Sequence, residues 1–549
     1  MKQDLEQAIA GAVKELFGVD AVVELTRPDE QFGDYATNVA LQLAKQLGKN
    51  PREIADAVAA QIRENLAERV VDVSVAGPGF LNLKLTDRAL AQSTHTEVPR
   101  VRDGQSVVIE TNNPNPFKAM HIGHAFNAII ADTIANLLEM SGAITNRVSY
   151  HGDVGLHVGK SMYSLLNFVG GDAKKLDEVD PAERNAFMSR MYAEGARAYK
   201  EDELAKTKID ELAKQSFTRE DPLYAQVYDI CKAWSFEGID STVARLGSKP
   251  IVRRFLESDA DALGVSIVQK HVPAVFQESN GALVFPGSKY GSFDNVFVNS
   301  RGLGLYGARD LGLMELKQEV FHPDKSYIVT AEEQRDYFKG VIAAAEICLP
   351  ELKGVTINIS TGTVKLSTGK MSSRNGEVVA IGWLFDKVGE AVRERGGEPT
   401  EAVVAGSLRY QFLRARIGSD VIFDVNEWVS LQGNSGPYLQ YAHARACSIL
   451  AKAVEHKDVE LSDLTADEHS LLRKITEYSE AVEKATNELM PHHICTYLYE
   501  LAQKFNQFYE HNRVIGDERE ALRVQLVTHY AGTLRNGLNL LGITAPERM

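Results

Sequence analysis

His121 and His124 stand three residues apart and enclose Ile122 and Gly123. At that spacing both side chains face one side of a helix's first turn. Just upstream, Val107–Val108–Ile109 reads as a short buried parallel strand. Pro114 and Pro116 prevent the strand from simply continuing. From Ile122 the apolar residues Ala125, Phe126, Ile129, Ile130, Ile134, Leu137 and Leu138 recur at helical spacing, and Gly142 ends the run. The four residues therefore lie where a strand gives way to a helix. Such a junction offers free N–H groups and the positive end of the helix dipole, a seat for phosphate. Gly123 lets a ligand approach the backbone closely. Much later, Lys370–Met371–Ser372–Ser373–Arg374 falls in a polar, glycine-flanked stretch that reads as a loop ahead of Val378–Ile381. Nucleotide phosphates are one target for this set. A metal-dependent hydrolase built on His121, His124, His151 and His157 is another, although carboxylate and cysteine ligands at metal spacing are not evident.

These residues need a parallel sheet to hold them. A second strand is expected near 147–150, ending in His151–Gly152–Asp153–Val154–Gly155. Strands of an open parallel sheet end this way at the carboxyl edge, where ligands bind. Further strands are expected at 265–268, 282–285, 295–298 and 327–330. The pattern is a Rossmann-like catalytic domain over 106–402 with a solvated helical insertion at about 162–232. No GxGxxG occurs, so a dinucleotide cofactor is not indicated. Ahead of this domain, 1–92 reads as a small α/β unit with strands at 22–25 and in VVDVSV and GFLNLKL, and 93–105 reads as a linker. After it, 403–549 reads as an α-helical bundle. Arg409, Arg414, Arg416, His443, Arg445, Arg513, Arg523 and Arg535 form its expected basic face.

At 549 residues the chain is too long for one core. Its four cysteines are dispersed and form no CxxC, which suits a reducing, cytoplasmic setting without a structural zinc knuckle. No apolar run is long enough for a membrane span, and the acid-containing N-terminal helix does not read as a signal peptide. The net charge of −15 means that any contact with nucleic acid must use locally gathered cations.

HIGH followed by KMSSR resembles the paired signature of class I aminoacyl-tRNA synthetases, and the wider chain resembles the arginyl-tRNA synthetases. FGDYATNVALQLAK and GPGFLNLKL are similar to that family's N-terminal domain; ETNNPNPFKAMHIGH, LYGARDLG, AEEQRDYF and GKMSSRNGEVV to its catalytic core; SLRYQFLRAR, GNSGPYLQYAHAR and LLGITAPERM to its anticodon-binding domain. The resemblance implies ATP with Mg²⁺, L-arginine and tRNA(Arg) as partners, a monomer, and no permanently bound cofactor or metal. It implies ATP contacts from His121, Gly123, His124, Lys370, Met371, Ser372 and Ser373. Lys118 would stand in for the second lysine of the class motif, whose place Ser373 takes. Glu110 and Asn115 would hold the backbone end of arginine, and Glu257, Tyr306, Asp310 and Gln334 its side chain. Asn38 would meet the tRNA D-loop, and Tyr509 and Met549 the anticodon. Asp153 and His157 depart from the family pattern and receive no role. An adenylating enzyme that acts without tRNA is the remaining alternative; the two flanking domains speak against it.

Overall fold

The computed structural model describes residues 1–94, 97–366, 380–454 and 459–549. Its centre is a five-stranded sheet in the order β11–β10–β4–β5–β6. The strands are β4 (Ser106–Glu110), β5 (Ile144–His151), β6 (Arg253–Leu256), β10 (Lys325–Ala331) and β11 (Thr356–Thr361). Every adjacent pair is parallel. Val107, Val108 and Ile109 of β4 are fully buried, as a central strand covered on both faces requires. Helix α5 (Ile122–Met140) follows β4, and fourteen of its residues are buried. The Rossmann-like reading holds.

Three of the expected strands do not join this sheet. Residues 265–268 belong to helix α10 (Glu257–Lys270), whose apolar run packs on α11 (Tyr306–Phe321) rather than pairing in a sheet. Residues 282–285 and 295–298 are strands, β8 (Ala282–Phe285) and β9 (Asn295–Val298), but with β7 (Gln277–Ser279) they make a separate antiparallel sheet. Short apolar runs do not distinguish a buried helix face from a strand, nor one sheet from another.

The insertion is larger than its charged sequence implied. It comprises α6 (Leu156–Val169), α7 (Arg184–Glu201), α8 (Glu203–Thr218) and α9 (Pro222–Arg245). It is not a solvated hairpin, because Val158, Met162, Leu165, Phe187, Met191, Tyr224, Tyr228 and Cys231 close a core of their own with Phe117.

In the N-terminal unit, α1 (Lys2–Phe17), α2 (Val39–Leu47), α3 (Pro51–Asn65) and α4 (Asp87–Ser93) accompany the sheet β1 (Tyr35–Thr37), β3 (Phe80–Leu85) and β2 (Val70–Ala76). The strand expected at 22–25 does not form; the neighbouring Thr26 makes a single bridge to Ala36. This unit docks on the C-terminal bundle, where Leu461, Leu472 and Leu526 join its core and Arg27 pairs with Glu480 at 2.7 Å.

After α12 (Arg335–Cys348), α13 (Ile381–Glu394) leads into α14 (Glu401–Leu413). The small parallel pair β12 (Val364–Leu366) and β13 (Val421–Phe423) and the short α15 (Val425–Trp428) join α14 to α16 (Gly436–Leu450). The bundle then runs through α17 (Ala466–Thr476), α18 (Tyr478–Glu488), α19 (His492–His511) and α20 (Glu520–Leu540). Residues 466–488 form two consecutive helices, α17 and α18. Part of the expected basic face is internal, while Arg416, Arg513 and Arg535 are exposed. Arg409 is fully buried, Arg523 pairs with the buried Glu468 at 2.9 Å, and His443 is buried against the Pro546 carbonyl.

Candidate active site

The chain turns from β4 into α5 at the carboxyl edge of the sheet. His121 is the N-cap of α5 and Gly123 its second residue. The two histidine rings stack with centroids 3.5 Å apart. Their Nδ1 atoms cap the helix reciprocally: His124 N donates to His121 Nδ1 (3.4 Å), and His121 N donates to His124 Nδ1 (3.3 Å). An Nδ1 that accepts a backbone hydrogen bond carries no proton, so each neutral ring bears its proton on Nε2. Burial, then the Lys118 charge, pushes His121 down to about 4, and burial holds His124 well below the ordinary imidazole value. At neutral pH the pair consists of two Nε2–H donors, suited to phosphate oxygens but carrying no charge. Positive charge comes from half-buried Lys118.

Lys370, Met371, Ser372 and Ser373 lie outside the described residues. The chain returns at Ala380, which bridges His121, and Ile381 N donates to Met120 O (3.2 Å). The segment carrying Lys370 therefore rejoins the fold at the backbone of the histidine motif.

Beside the motif lies a cavity of about 500 Å³ whose walls include Asn115, Lys118, His157, Lys160, Glu257, Asp261, Tyr306 and Arg309. Asn115 Oδ1 accepts from Gly152 N at 3.0 Å. A Cβ on Gly152 would meet Glu257 Oε1 at 3.0 Å and Asn115 Oδ1 at 3.1 Å, so a larger residue would have to push those side chains aside by a few tenths of an ångström. Glu257 opens α10, where burial raises its carboxyl despite an ion pair with Arg309 at 2.9 Å. Arg309 also binds Asp261 at 2.8 Å. Tyr306, at the start of α11, is 70% exposed.

Asp310, four residues along the same helix, is half-buried and accepts a short hydrogen bond from the Tyr337 hydroxyl on α12. Burial, reinforced by the Glu110 and Glu257 carboxylates, raises its carboxyl to about 7 against the opposing hydrogen bond from Tyr337. No cation in the described structure makes an ion pair with it. Burial outweighs the Lys317 charge, which acts in the opposite direction without forming an ion pair.

Two expected pocket residues are placed differently. Glu110 is already committed: Lys317 binds its Oε1 at 2.8 Å, with side chains 1% and 2% exposed, and Asn113 binds its Oε2 at 2.6 Å. Gln334 is exposed beyond the end of β10 and has no hydrogen bond to a described side chain. Sequence reasoning missed Tyr337, Lys317, Asn113 and Arg309. Their neighbours are set by tertiary packing, although Asn113, Arg309 and Tyr337 lie within the quoted ETNNPNPFKAMHIGH, LYGARDLG and AEEQRDYF stretches.

Asp153 and His157 are structural here. Asp153 accepts from Ser258 N (3.0 Å), Ser258 Oγ (2.8 Å) and the Tyr228 hydroxyl (3.0 Å). It thereby ties the insertion to the first turn of α10 and fixes Glu257 beside it. His157 Nε2 is bound to Gly152 O at 2.7 Å, and both ring nitrogens of His151 are taken, by Pro114 O and Ser149 Oγ. Histidines so engaged do not converge on one ligand. Among the described residues no group of three or more metal-binding side chains is found.

The three expected tRNA contacts are surface residues. Asn38 lines a cavity of about 540 Å³ in the N-terminal unit together with exposed Phe32 and Phe80. Met549 is 52% exposed and lines a cavity of about 280 Å³ with Tyr441. The Arg445 guanidinium lies 4.9 Å from the Tyr441 ring centre and 5.8 Å from that of Tyr509, so Tyr509 continues the same surface.

Comparison with known proteins agrees with this architecture. Residues 1–85 match the arginyl-tRNA synthetase N-terminal domain, 86–402 the catalytic domain of class I (R) tRNA synthetases, and 439–549 the DALR anticodon-binding domain. An arginine–tRNA ligase of Clostridium acetobutylicum is 27% identical over the whole of both chains. One from a Shewanella species is 28% identical, covering 95% of this chain and 94% of the relative. The arginyl-tRNA synthetase structure of Thermus thermophilus superposes with a TM-score of 0.81 at 26% identity and full coverage of both chains. That of Plasmodium falciparum, at 19% identity, shares the fold with a TM-score of 0.78 over 100% of this chain and 99% of its own. With the class I catalytic model spanning more than half of its length and family-specific domains on either side, the chain belongs to the arginyl-tRNA synthetase family.

Proposed function

We propose that this chain is an arginine–tRNA ligase. It activates L-arginine with ATP-Mg²⁺ to arginyl-adenylate, releases pyrophosphate, and transfers the arginyl group to the 3′ end of tRNA(Arg) with release of AMP. The carrying observation is the Asp310 carboxyl, raised to about 7 and without an ion pair among the described residues, on the helix that gives Tyr306 and Arg309 to the cavity next to the histidine motif. The arginine carboxylate attacks the α-phosphate in line, so the protein supplies position and charge rather than a nucleophile. The Nε2–H groups of His121 and His124 donate to phosphate oxygens, and Lys118 and Lys370 offset their charge. Asp310, Glu257 and Tyr306 take the guanidinium, and Asn115 the backbone end. Glu110 shapes the floor through Lys317 and Asn113. A planar guanidinium satisfies two carboxylates where an ammonium leaves one under-bonded, which excludes lysine without editing. The enzyme works in the cytoplasm; among the described residues no helix is long and apolar enough to cross a membrane.

Arginine-dependent ATP–pyrophosphate exchange, run with and without tRNA and with lysine as control, tests the reading. Exchange with arginine and none with lysine is expected; no exchange from folded protein in any condition would refute it.

Asp310 also sets a pH dependence. Its carboxyl titrates near 7 in the empty pocket, whereas substrate guanidinium requires it ionised. Protonation therefore competes with arginine, which stays cationic throughout. The KM for arginine should rise up to about tenfold per pH unit below about 7 and level off above it. The KM for ATP, measured in the same assays, should change far less. A flat arginine profile between about pH 6 and 8 would remove Asp310 from the guanidinium site.

Deleting Met549 should raise the KM for tRNA several-fold and leave that for arginine unchanged, because Met549 lines a cavity in the bundle with Tyr441 and not the catalytic cavity. Equal change in both constants would point to a general loss of structure.

A further inference from the structure

The catalytic cavity holds more positive charge than the proposed arginine site uses. Lys118, Lys160 and Arg309 stand on its walls against Glu257 and Asp261, in a chain whose net charge is −15. Arg309 already spans both carboxylates, at 2.9 and 2.8 Å. That leaves two ammonium groups, and among the described residues neither makes an ion pair.

Both are held in place without being neutralised. Tyr192 and Tyr199 are seven residues apart on α7 and so share a face of that helix. The Lys118 ammonium lies 5.9 Å from the Tyr192 ring centre, and that of Lys160 lies 4.8 Å from the Tyr199 ring centre. Between the tyrosines is Gly195, where an added Cβ would lie 1.9 Å from the Lys160 carbonyl oxygen. Helices α6 and α7 thus meet backbone to backbone at Lys160, which fixes its origin. Lys118 and Lys160 line the same cavity, and burial followed by the Lys160 charge lowers the Lys118 ammonium from its ordinary value. Two like charges held together on an aromatic backing, facing a cavity and lacking a carboxylate, lack only an anion.

We propose that Lys160 is a second phosphate-binding cation of this site, acting with Lys118 on the oxygens of a phosphate group that enters the cavity. The inference rests on the ligase reading, under which two substrates bring phosphate here: the triphosphate of ATP and the 3′-terminal phosphates of tRNA. Nothing in the residue spacing around Lys160 marked it. Its pairing with Lys118 appears only once α6 and α7 are packed.

The test uses the full-length chain with Lys160→Met, Lys160→Gln and the charge-conserving Lys160→Arg. KM values for ATP, tRNA and arginine are measured alongside thermal midpoints. Loss of the charge should raise the KM for one phosphate-bearing substrate about tenfold, with arginine unchanged and Lys160→Arg within about threefold of the parent. A rise for ATP identifies the triphosphate as the ligand; a rise for tRNA identifies its acceptor end. If both constants stay within about twofold in folded Lys160→Met and Lys160→Gln, the proposal is wrong. It is equally wrong if Lys160→Arg loses as much as Lys160→Met together with a lowered midpoint, since that marks a packing role. Failure of the parent chain itself to charge tRNA with arginine would instead overturn the ligase reading.

Discussion

Asp310→Asn is expected to reduce kcat/KM for arginine by about two to four decades while leaving ATP binding within about twofold. The substitution keeps the shape of the side chain and its acceptor toward Tyr337, and removes only the charge. A buried charged pair that loses one member typically costs about 3–5 kcal/mol, and each 1.4 kcal/mol is about tenfold. The free protein should not suffer, because the same burial that raises the Asp310 carboxyl to about 7 makes its charge a burden until arginine arrives. Asp310→Asn should therefore match or slightly exceed the parent in thermal midpoint at pH 8. This split between stability and activity separates a substrate-binding carboxylate from a structural one. A lowered midpoint with unchanged arginine kinetics would assign Asp310 to the scaffold. Asn at this position should also lose the pH dependence of the arginine KM, since the titrating group is gone.

What the sequence made legible was local. The strand–turn–helix at Glu110 to Met140 carries its own signals: a β-branched run, two prolines, then apolar residues at helical spacing. Tyr306 and Asp310, four residues apart, lie on one helix. Yet adjacency on a helix does not reveal that one is exposed and the other half-buried, because that depends on α12 bringing Tyr337 over Asp310. Glu110 shows the same limit more sharply. The resemblance implies a role at the backbone end of arginine, and nothing in the sequence marks the ammonium of Lys317, 207 residues away, that binds its Oε1. Charge read along the chain was the least reliable guide. The insertion was polar in composition yet encloses an apolar core, since each of its helices has a buried stripe between charged residues. The arginines of the bundle looked like a nucleic-acid face, yet Arg409 and Arg523 bind buried carboxylates. Arg445, beside Tyr441 and Tyr509, remains at the surface.

Arg409→Met should be the most destabilising single change in the bundle, by about 3–5 kcal/mol in urea unfolding. Arg409 on α14 is completely buried and uses its whole planar fork. Nη2 donates to Asp132 Oδ2 (2.8 Å) and Thr133 Oγ1 (3.1 Å), Nη1 to Leu246 O (3.0 Å), and Nε to Leu541 O (2.7 Å). One side chain thus joins α5, which begins with the histidine motif, to the end of α9 and the end of α20. Methionine fills the space but leaves two carbonyls and part of a carboxylate without donors, and each such orphan costs about 1–3 kcal/mol. Lysine should rescue little, because a single ammonium cannot reach donors arranged as a fork. Asp132 keeps Arg147 at 3.2 Å, so the damage should fall on the seam between domains more than on the sheet. Proteolysis should then cut the bundle free before the catalytic domain unfolds, and the KM for tRNA should rise before that for ATP. If Arg409→Lys proves as stable as the parent, the fork geometry is not what holds the seam, and the charge opposite Asp132 is sufficient.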